Sequence, residues 1–256
     1  AGESWLGDWS NQFQGAAGKM EPCFQNDGPV RIFVFEADNL SATKAAKERI
    51  RARYNIANHS VHINDTHEET VRLAGVLLNE NSIHFLNHAE PRNFERFVRH
   101  FERYRNWLRE QNHDPELFCI DGSAVLAAYG IREAQDLDVL HYGEVDFSAV
   151  LPEVNSHNED AHHHVVSRDE IIFNPEHHFY LRGVKFASLQ IIRALKARRD
   201  EPKDRVDVAG IDQLTGAKSD DPNVGASISG VRKPKIVALL AARNESARLP
   251  FCLRAL

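Results

Sequence analysis

Runs of residues typical of β-strands alternate with helical stretches along most of the chain, and this alternation constrains the fold more than any other feature. Residues 31–36 form a β-rich run, Asn39 is a helix-start signal, and a helical stretch continues to Tyr54. Further strands are predicted at 60–63 and 82–86, and helices at 67–78 and 94–111. This rhythm predicts an α/β fold, with a Rossmann-like three-layer unit over residues 30–114.

A second unit, of the α+β type, is predicted over residues 115–215. It begins with a short apolar strand at 117–120, a helix at 124–129 that Gly130 ends, and a strand at 136–140. The polar, histidine-rich stretch 152–164 is predicted to be a loop. Strands are expected at 171–173 and 179–186, followed by a helix at 189–199 and another from residue 202.

The remaining segments are predicted from composition. Residues 1–29 follow no sustained strand or helix period and are interpreted as a leader or the remnant of an upstream region. Residues 216–232 are rich in Gly, Pro and Ser, which predicts a linker. Residues 233–242 predict one more strand and 245–256 the beginning of a helix, so the chain is expected to stop inside a third unit.

Composition argues against some classes of partner and indicates the cellular compartment. The 256 residues carry 31 basic and 37 acidic side chains, a formal charge of −6, which argues against long nucleic acid as the main partner. No apolar run is long enough to predict a transmembrane segment. The cysteines Cys23, Cys119 and Cys252 are distant and odd in number, so a reducing, cytoplasmic environment is expected.

The segment from Gly122 to Leu140 has the residues that metal-assisted phosphate chemistry needs. Asp136 and Asp138 are two apart on a predicted strand, so their carboxylates point to one face and can share a cation. Carboxylates with phosphates and water suit Mg²⁺, with Mn²⁺ as a substitute. Gly122 permits close approach of a phosphate to the backbone, and Ser123 opens the next helix. The alternative interpretation of the aspartates is an acidic strand end.

This strand, Gly-Ser turn, helix and Asp-x-Asp strand resembles the polymerase-beta-type minimal nucleotidyltransferases. A second segment is similar to the hairpin, helix and Arg-x-Lys-Asp pattern of that family: residues 179–186, Leu189, Lys196, Arg199, Lys203, Asp204 and Asp207. The resemblance covers about residues 117–212. It implies that Asp136 and Asp138 bind the metal, that Gly122 and Ser123 hold a triphosphate, and that an acceptor hydroxyl attacks the α-phosphate.

Some positions complete or depart from that family pattern. Lys196 or Lys203 is expected to supply a cation for the phosphates, although Lys203 next to Asp204 equally fits a surface ion pair. The third metal carboxylate has two candidates, Asp169 and Glu170, and Glu170 is assigned to the metal set. Asp121 occupies a position where the family has an apolar residue or Gly, and its charge opposes a triphosphate unless it also binds metal. A non-catalytic nucleotidyltransferase-like fold is therefore an alternative.

The last segment has a second resemblance. Residues 235–245, which end in Arg243-Asn244-Glu245, and the following Arg248-Leu249 and Cys252-Leu253 are similar to the opening strand and helix of family 2 glycosyltransferases. This resemblance implies a nucleotide-sugar ligand and a protein that continues past Leu256, with pairing of the two units in cell-surface polysaccharide assembly. The alternative interpretation is any Rossmann-like first strand.

Two functions follow from the resemblances. The first is Mg²⁺-dependent transfer of a nucleotidyl or phosphoryl group to a sugar or glycan-linked acceptor in cell-surface polysaccharide biosynthesis. The alternative is the N-terminal portion of a family 2 glycosyltransferase that uses a nucleotide-sugar donor, with the nucleotidyltransferase-like domain as a non-catalytic binding module.

The chain has 14 histidines, but their spacing matches no closed zinc motif. His62, Asp65, Thr66 and His88 are candidates to converge at strand ends, against the simpler role of Asp65 and Thr66 in capping a helix. The run His162-His163-His164 is predicted to be solvated. The aromatic residues from Phe94 to Trp107 recur at helical spacing, which favours a core-facing helix.

Overall fold

The computed structural model describes residues 31–37, 39–55, 60–64, 66–90, 92, 94–147, 151–216 and 237–242. They fall into two compact units, one containing the described residues up to Leu78 together with 237–242, and the other beginning at Asn79. The predicted boundary between residues 114 and 115 differs from this division, because residues 79–114 belong with the second unit. The leader, the linker and the predicted helix at 245–256 lie outside the described residues.

In chain order the regular elements are β1 (Arg31–Glu36), α1 (Leu40–Tyr54), α2 (His67–Leu77), α3 (Glu80–His88), α4 (Glu95–Glu110), β2 (Phe118–Asp121), α5 (Ser123–Tyr129), β3 (Leu137–His141), β4 (Val154–Ser156), α6 (Arg168–Phe173), β5 (His178–Leu181), β6 (Val184–Ala187), α7 (Leu189–Arg199), α8 (Pro202–Thr215) and β7 (Val237–Ala242). The chain is therefore a mixed α/β protein, as the alternating pattern predicts. Within the described ranges no helix has both the length and the hydrophobicity to cross a bilayer.

The first unit pairs β1 with β7 in parallel, so that Phe33 lies opposite Leu239. Its helices start at the predicted caps. The Asn39 side chain accepts a hydrogen bond from the Ala42 N–H at 2.8 Å, and the Thr66 hydroxyl accepts one from the Glu69 N–H at 3.1 Å. The strand predicted at 60–63 is wrong, because these residues are irregular in the structure.

The second unit is built on a five-stranded mixed sheet in the order β4-β3-β2-β6-β5. β2 pairs antiparallel with β3 and parallel with β6, while β3 pairs parallel with β4. Helices cover both faces. Phe186 of β6 contacts Phe101 of α4, whereas the next residue back, Lys185, donates to the Ile172 carbonyl of α6 at 2.8 Å. Successive strand residues point to opposite faces, so α4 and α6 lie on opposite sides of the sheet.

The aromatic residues of α4 form part of the core, as their spacing predicts. Phe97, Phe101, Tyr104 and Trp107 are all buried. They recur every three or four residues, which places them on one helical face. Phe101 and Phe97 contact Phe186 of β6, so this face anchors α4 to the middle of the sheet.

The hairpin between β5 and β6 turns at Arg182 and Gly183. Both residues have positive φ, 52° and 79°, as in the turns that suit the twist of two-residue hairpins. The turn fixes the pairing of Leu181 with Val184 and of Phe179 with Phe186.

Two predicted strands are helices in the structure. Residues 82–86 lie in α3, where the Asn79 side chain caps the Ser82 N–H at 2.7 Å. Residues 171–173 lie in α6, where the Ser167 hydroxyl accepts from the Glu170 N–H at 3.2 Å. Both segments are short apolar runs whose period does not separate strand from helix, and the caps decide in favour of the helix.

The predicted loop at 152–164 is also wrong. It contains strand β4 and a 3₁₀ helix, Glu159–His163. β4 has three residues, of which Asn155 and Ser156 are exposed, so it has too few apolar side chains for a strand signal. Its strand character comes from pairing with β3.

Candidate functional site

Three neighbouring strands place polar side chains in a row across the sheet. Asp121 at the end of β2 lies opposite Asp138 of β3, and Asp138 lies opposite Asn155 of β4. Directly opposed residues of neighbouring strands point to the same face. Asp136 precedes β3 by one residue, and its carboxylate accepts a hydrogen bond from the Asn155 amide at 3.2 Å. We call Asp121, Asp136 and Asp138 the aspartate cluster.

Asp138 is held in an environment that disfavours its charge. Burial is the main factor that raises the pKa of its carboxyl to about 6; the charge of His157 lowers it, and the nearby charges of Asp136 and Asp121 raise it. In the described part of the chain, no lysine or arginine forms an ion pair with Asp136 or Asp138. A dication beside these carboxylates would relieve this repulsion.

Asp121 is fully buried and is held by two histidines that reach it from the segment after β4. His157 Nδ1 and His164 Nε2 each lie 2.8 Å from the same carboxylate oxygen, Asp121 Oδ2. Burial alone would raise the pKa of Asp121, but the hydrogen bonds from both imidazoles outweigh it and hold the pKa well below its ordinary range. Asp121 is therefore more easily ionised than Asp138.

The Gly122-Ser123 turn lies directly against Asp138. Gly122 has φ of +63°, and a Cβ built on it would lie 2.4 Å from Asp138 Oδ2. A side chain at this position would therefore be strained in the backbone and would displace the carboxylate. Ser123 follows as the first residue of α5 and is partly exposed. The structure thus brings the predicted turn and Asp138 together.

Lys196 is in an ion-pair network. Its ammonium group lies 3.1 Å from Asp204 and 2.7 Å from Asp207. Arg199 binds Asp204 at 2.7 Å, and Arg132 binds Asp207 through two nitrogens at 2.5 and 2.8 Å. We call these five residues the ion-pair network. Lys196 therefore forms ion pairs with two buried carboxylates and does not supply a free cation for a phosphate.

Lys203 occupies the surface, as the alternative interpretation expects. Its side chain is 66% exposed and lies 3.1 Å from Glu201. Arg199, like Lys196, is bound to Asp204, at 2.7 Å. The pKa of Arg199 is raised mainly by its hydrogen bonds to Asp204, and the charge of Asp138 also contributes, so Arg199 acts electrostatically on both acidic groups.

Glu170 lies in the first turn of α6, not before a strand. Its carboxylate accepts a hydrogen bond from Asn174 at 3.0 Å and lies 3.9 Å from His177. Asp169 pairs with Arg168 at 2.8 Å. The carboxylates that act on Asp138 are instead Asp136, Asp121 and Asp160. The assignment of Glu170 to the metal set rested on a strand that the structure replaces with a helix.

The other histidines divide between surface and structural roles. His162 and His163 are exposed, as predicted, but His164 of the same run is buried against Asp121. His62 Nε2 lies in hydrogen-bond contact with Glu69 at 2.8 Å, and Asp65 lies outside the described residues. The His88 ring packs against His84 in a tilted arrangement with ring centroids 4.4 Å apart, and burial lowers the pKa of His84 to about 4.

A groove of about 700 Å³ lies between α7 and α8. Its lining includes Asp200, Arg205 and Asp212, and it shares Lys196 with the ion-pair network. The aspartate cluster does not line it. The groove and the aspartate cluster are therefore separate features of the second unit.

Sequence reasoning missed His157 and His164 as partners of Asp121. The signal that would have found them is the unexpected aspartate at position 121, at the end of an apolar strand. A buried carboxylate requires hydrogen-bond donors, and the following segment is rich in imidazoles. The misassigned loop at 152–164 hid them, because strand β4 is what brings His157 to the sheet.

No protein-family model, curated protein or solved structure matches this chain.

Proposed function

We propose that the unit from Asn79 to Gly216 catalyses Mg²⁺-dependent transfer of a nucleotidyl or phosphoryl group to a sugar or glycan-linked acceptor, in cell-surface polysaccharide assembly. The observation that carries this proposal is the contact between Gly122 and Asp138. It places the Gly122-Ser123 turn, in which Ser123 is partly exposed, beside Asp138, with which no lysine or arginine of the described residues forms an ion pair.

The donor set fits Mg²⁺. This ion takes one or two carboxylates and fills its remaining positions with water and phosphate oxygens, and Asp136 and Asp138 supply the carboxylates. When bound, the ion would neutralise charge on the transferred phosphate. The raised pKa of Asp138 fits this role, because a carboxylate that is costly to ionise alone gains most from a neighbouring dication.

The chain's own residues would position the reactants. Gly122 lets the Asp138 carboxylate lie directly against the turn, because a Cβ at this position would displace it. In the reaction, a bond forms between the acceptor oxygen and phosphorus while the bond from phosphorus to the leaving oxygen breaks, and positioning and charge neutralisation account for most of the rate.

The test measures nucleoside triphosphate consumption by the full chain with a panel of sugar phosphates, with and without Mg²⁺. We expect Mg²⁺-dependent turnover that falls by about 10²-fold or more in Asp136→Asn and in Asp138→Asn, since each removes a group that neutralises developing charge. The matched controls are Asp169→Asn and Glu170→Gln, which change carboxylates on α6 and should leave turnover unchanged.

Three outcomes would contradict the proposal. Turnover that persists in Asp136→Asn with Asp138→Asn would show that the aspartates are not the reaction site. Equal loss in Glu170→Gln would place the ion elsewhere. Nucleotide binding without metal, and without turnover on any acceptor, would favour a binding module over an enzyme.

A further inference from the structure

Asp121, His157 and His164 form a compact set of metal-ligating groups that the proposed reaction does not use. Their ligand atoms all lie within 4.8 Å of one another, and both imidazole nitrogens are 2.8 Å from Asp121 Oδ2. The three residues come from the end of β2, the residue after β4 and the residue after the following 3₁₀ helix. We call them the His-Asp-His cluster.

Hydrogen bonding alone leaves this cluster incomplete. Among the described residues, no partner is found for Asp121 Oδ1 or for His164 Nδ1, and both atoms are buried. Buried polar atoms are nearly always satisfied by protein, water or an ion. An unpaired oxygen on a fully buried, ionised carboxylate is a position where a cation would bind favourably.

The distances suit a metal ion after a small rearrangement. Zn²⁺ binds imidazole nitrogen and carboxylate oxygen at roughly 2.0–2.2 Å, so ligands around one tetrahedral ion lie roughly 3.3–3.5 Å apart. The nitrogens of His157 and His164 lie 2.8 Å from Asp121 Oδ2. Each nitrogen would need to move by roughly half an ångström from that oxygen, and the two nitrogens, which lie within 4.8 Å of each other, would have to reach the same spacing.

The backbone holds the ligands in place. The His157 N–H donates to the Val139 carbonyl of β3 at 2.9 Å. Arg198 of α7 donates to the His164 carbonyl at 3.1 Å. The far nitrogen of His157, Nε2, lies 3.7 Å from Asp160. A carboxylate on the far side of a metal-binding imidazole is the usual outer contact that orients such a ring.

We propose that Asp121, His157 and His164 bind a first-row transition-metal dication such as Zn²⁺, separately from the Mg²⁺ site proposed at Asp136 and Asp138. Imidazole suits this class of ion, whereas Mg²⁺ prefers oxygen ligands. Three protein ligands leave at least one position for water or an oxygen of a substrate. The proposal does not depend on the proposed transferase activity.

The experiment is calorimetric titration of the metal-free full chain with Zn²⁺, together with the visible absorption of the Co²⁺-loaded protein, which reports nitrogen ligation. We expect one site in wild type whose affinity falls by at least about 100-fold in His157→Gln and in His164→Ala, since removing a direct ligand should cost at least as much as removing an outer contact. His162→Ala is the matched control, because His162 is an exposed imidazole of the same segment.

Each result decides the proposal. Loss of binding in His162→Ala would assign the ion to surface imidazoles, and unchanged affinity in His157→Gln would exclude the cluster. If His164→Ala fails to fold, His157→Gln decides, because the His157 side chain is 15% exposed and its loss is better tolerated. Asp136→Asn should keep Zn²⁺ affinity, and its loss in that variant would overturn the separation of the two sites. Wild type that binds no Zn²⁺ would also overturn the proposal.

Discussion

The second unit contains two groups of aspartates, and they differ in what neutralises them. Asp204 and Asp207 of the ion-pair network are bound by Lys196, Arg199 and Arg132. Asp138 of the aspartate cluster faces other carboxylates. The arginine hydrogen bond is the main factor that lowers the pKa of Asp204 to about 2, whereas burial raises that of Asp138 to about 6.

This difference distinguishes the structural role of the ion-pair network from the role proposed for the aspartate cluster. A buried carboxylate with its cations in place contributes to the fold and has no further charge to offer. A buried carboxylate without a cation costs stability, and such a cost is typical of binding and catalytic sites. The aspartates of the ion-pair network therefore differ from the aspartate cluster in their charged partners. In the sequence, both groups look alike, as acidic residues two or three positions apart.

The largest effect on the difference between the two groups of aspartates is expected from Lys196→Met. The change removes the cation shared by Asp204 and Asp207, and stranding a buried charge typically costs about 3–5 kcal/mol. We expect the free energy of unfolding in urea to fall by that amount near neutral pH. A loss below about 1 kcal/mol would show that the arginines alone neutralise the pair.

Asp138→Asn should change stability in the opposite direction, by raising the free energy of unfolding. The folded pKa of Asp138, about 6, lies above the ordinary aspartate pKa of 3.8, so the folded state binds the extra proton and its stability falls as pH rises from about 4 to about 6. At about pH 7.5 without metal, the variant should be more stable than wild type by on the order of 3 kcal/mol. The advantage should vanish near pH 4.

The matched control for that prediction is Asp207→Asn. The pKa of Asp207 is lowered, because hydrogen bonds from Arg132 and Lys196 outweigh the effect of burial. Its contribution is therefore present above the unfolded pKa and is lost as pH falls through the folded pKa, so Asp207→Asn should destabilise the protein at pH 7.5. Equal signs in the two variants, measured by urea unfolding with a chelator, would abolish the distinction between the clusters.

The smallest expected effect is that of Lys203→Ala. Lys203 pairs with Glu201 at the surface, and exposed ion pairs contribute about 0–1 kcal/mol. We expect thermal unfolding to change little and Mg²⁺-dependent turnover to be unaffected. A tenfold loss of turnover would restore Lys203 as a phosphate-binding residue.

Local signals predicted most of the elements that carry the site. The Gly122-Ser123 turn, α5, β3 and α7 follow from glycine positions, caps and apolar periods that act within a few residues. The failures at β4, α3 and α6 share a different cause. β4 depends on its partner β3 rather than on its own apolar residues, and α3 and α6 are decided by the capping side chains of Asn79 and Ser167.

The residue types of the site could be predicted from the sequence, but the long-range contacts between their side chains could not. Gly122 and Asp138 are brought together because α5 and a short loop connect β2 to its antiparallel neighbour β3, and Asp136 lies two residues from Asp138. Asp121 with His157 and His164 depends on contacts between residues 36 and 43 positions apart. Lys196 looked free because the turn between α7 and α8, which returns Asp204 and Asp207 to it, is not visible as a contact in the sequence.

The turn at Arg182 and Gly183 has a consequence for how much sequence change the site tolerates. It sets the register of β6, which pairs with β2 through Cys119 and Lys185, and β2 ends at Asp121. One residue inserted into the turn would shift β6 by one position and exchange the faces of Phe186 and Lys185. Homologous chains should therefore vary freely in length where loops end at the surface, but they should keep a two-residue connection here, far along the chain from the carboxylates it aligns.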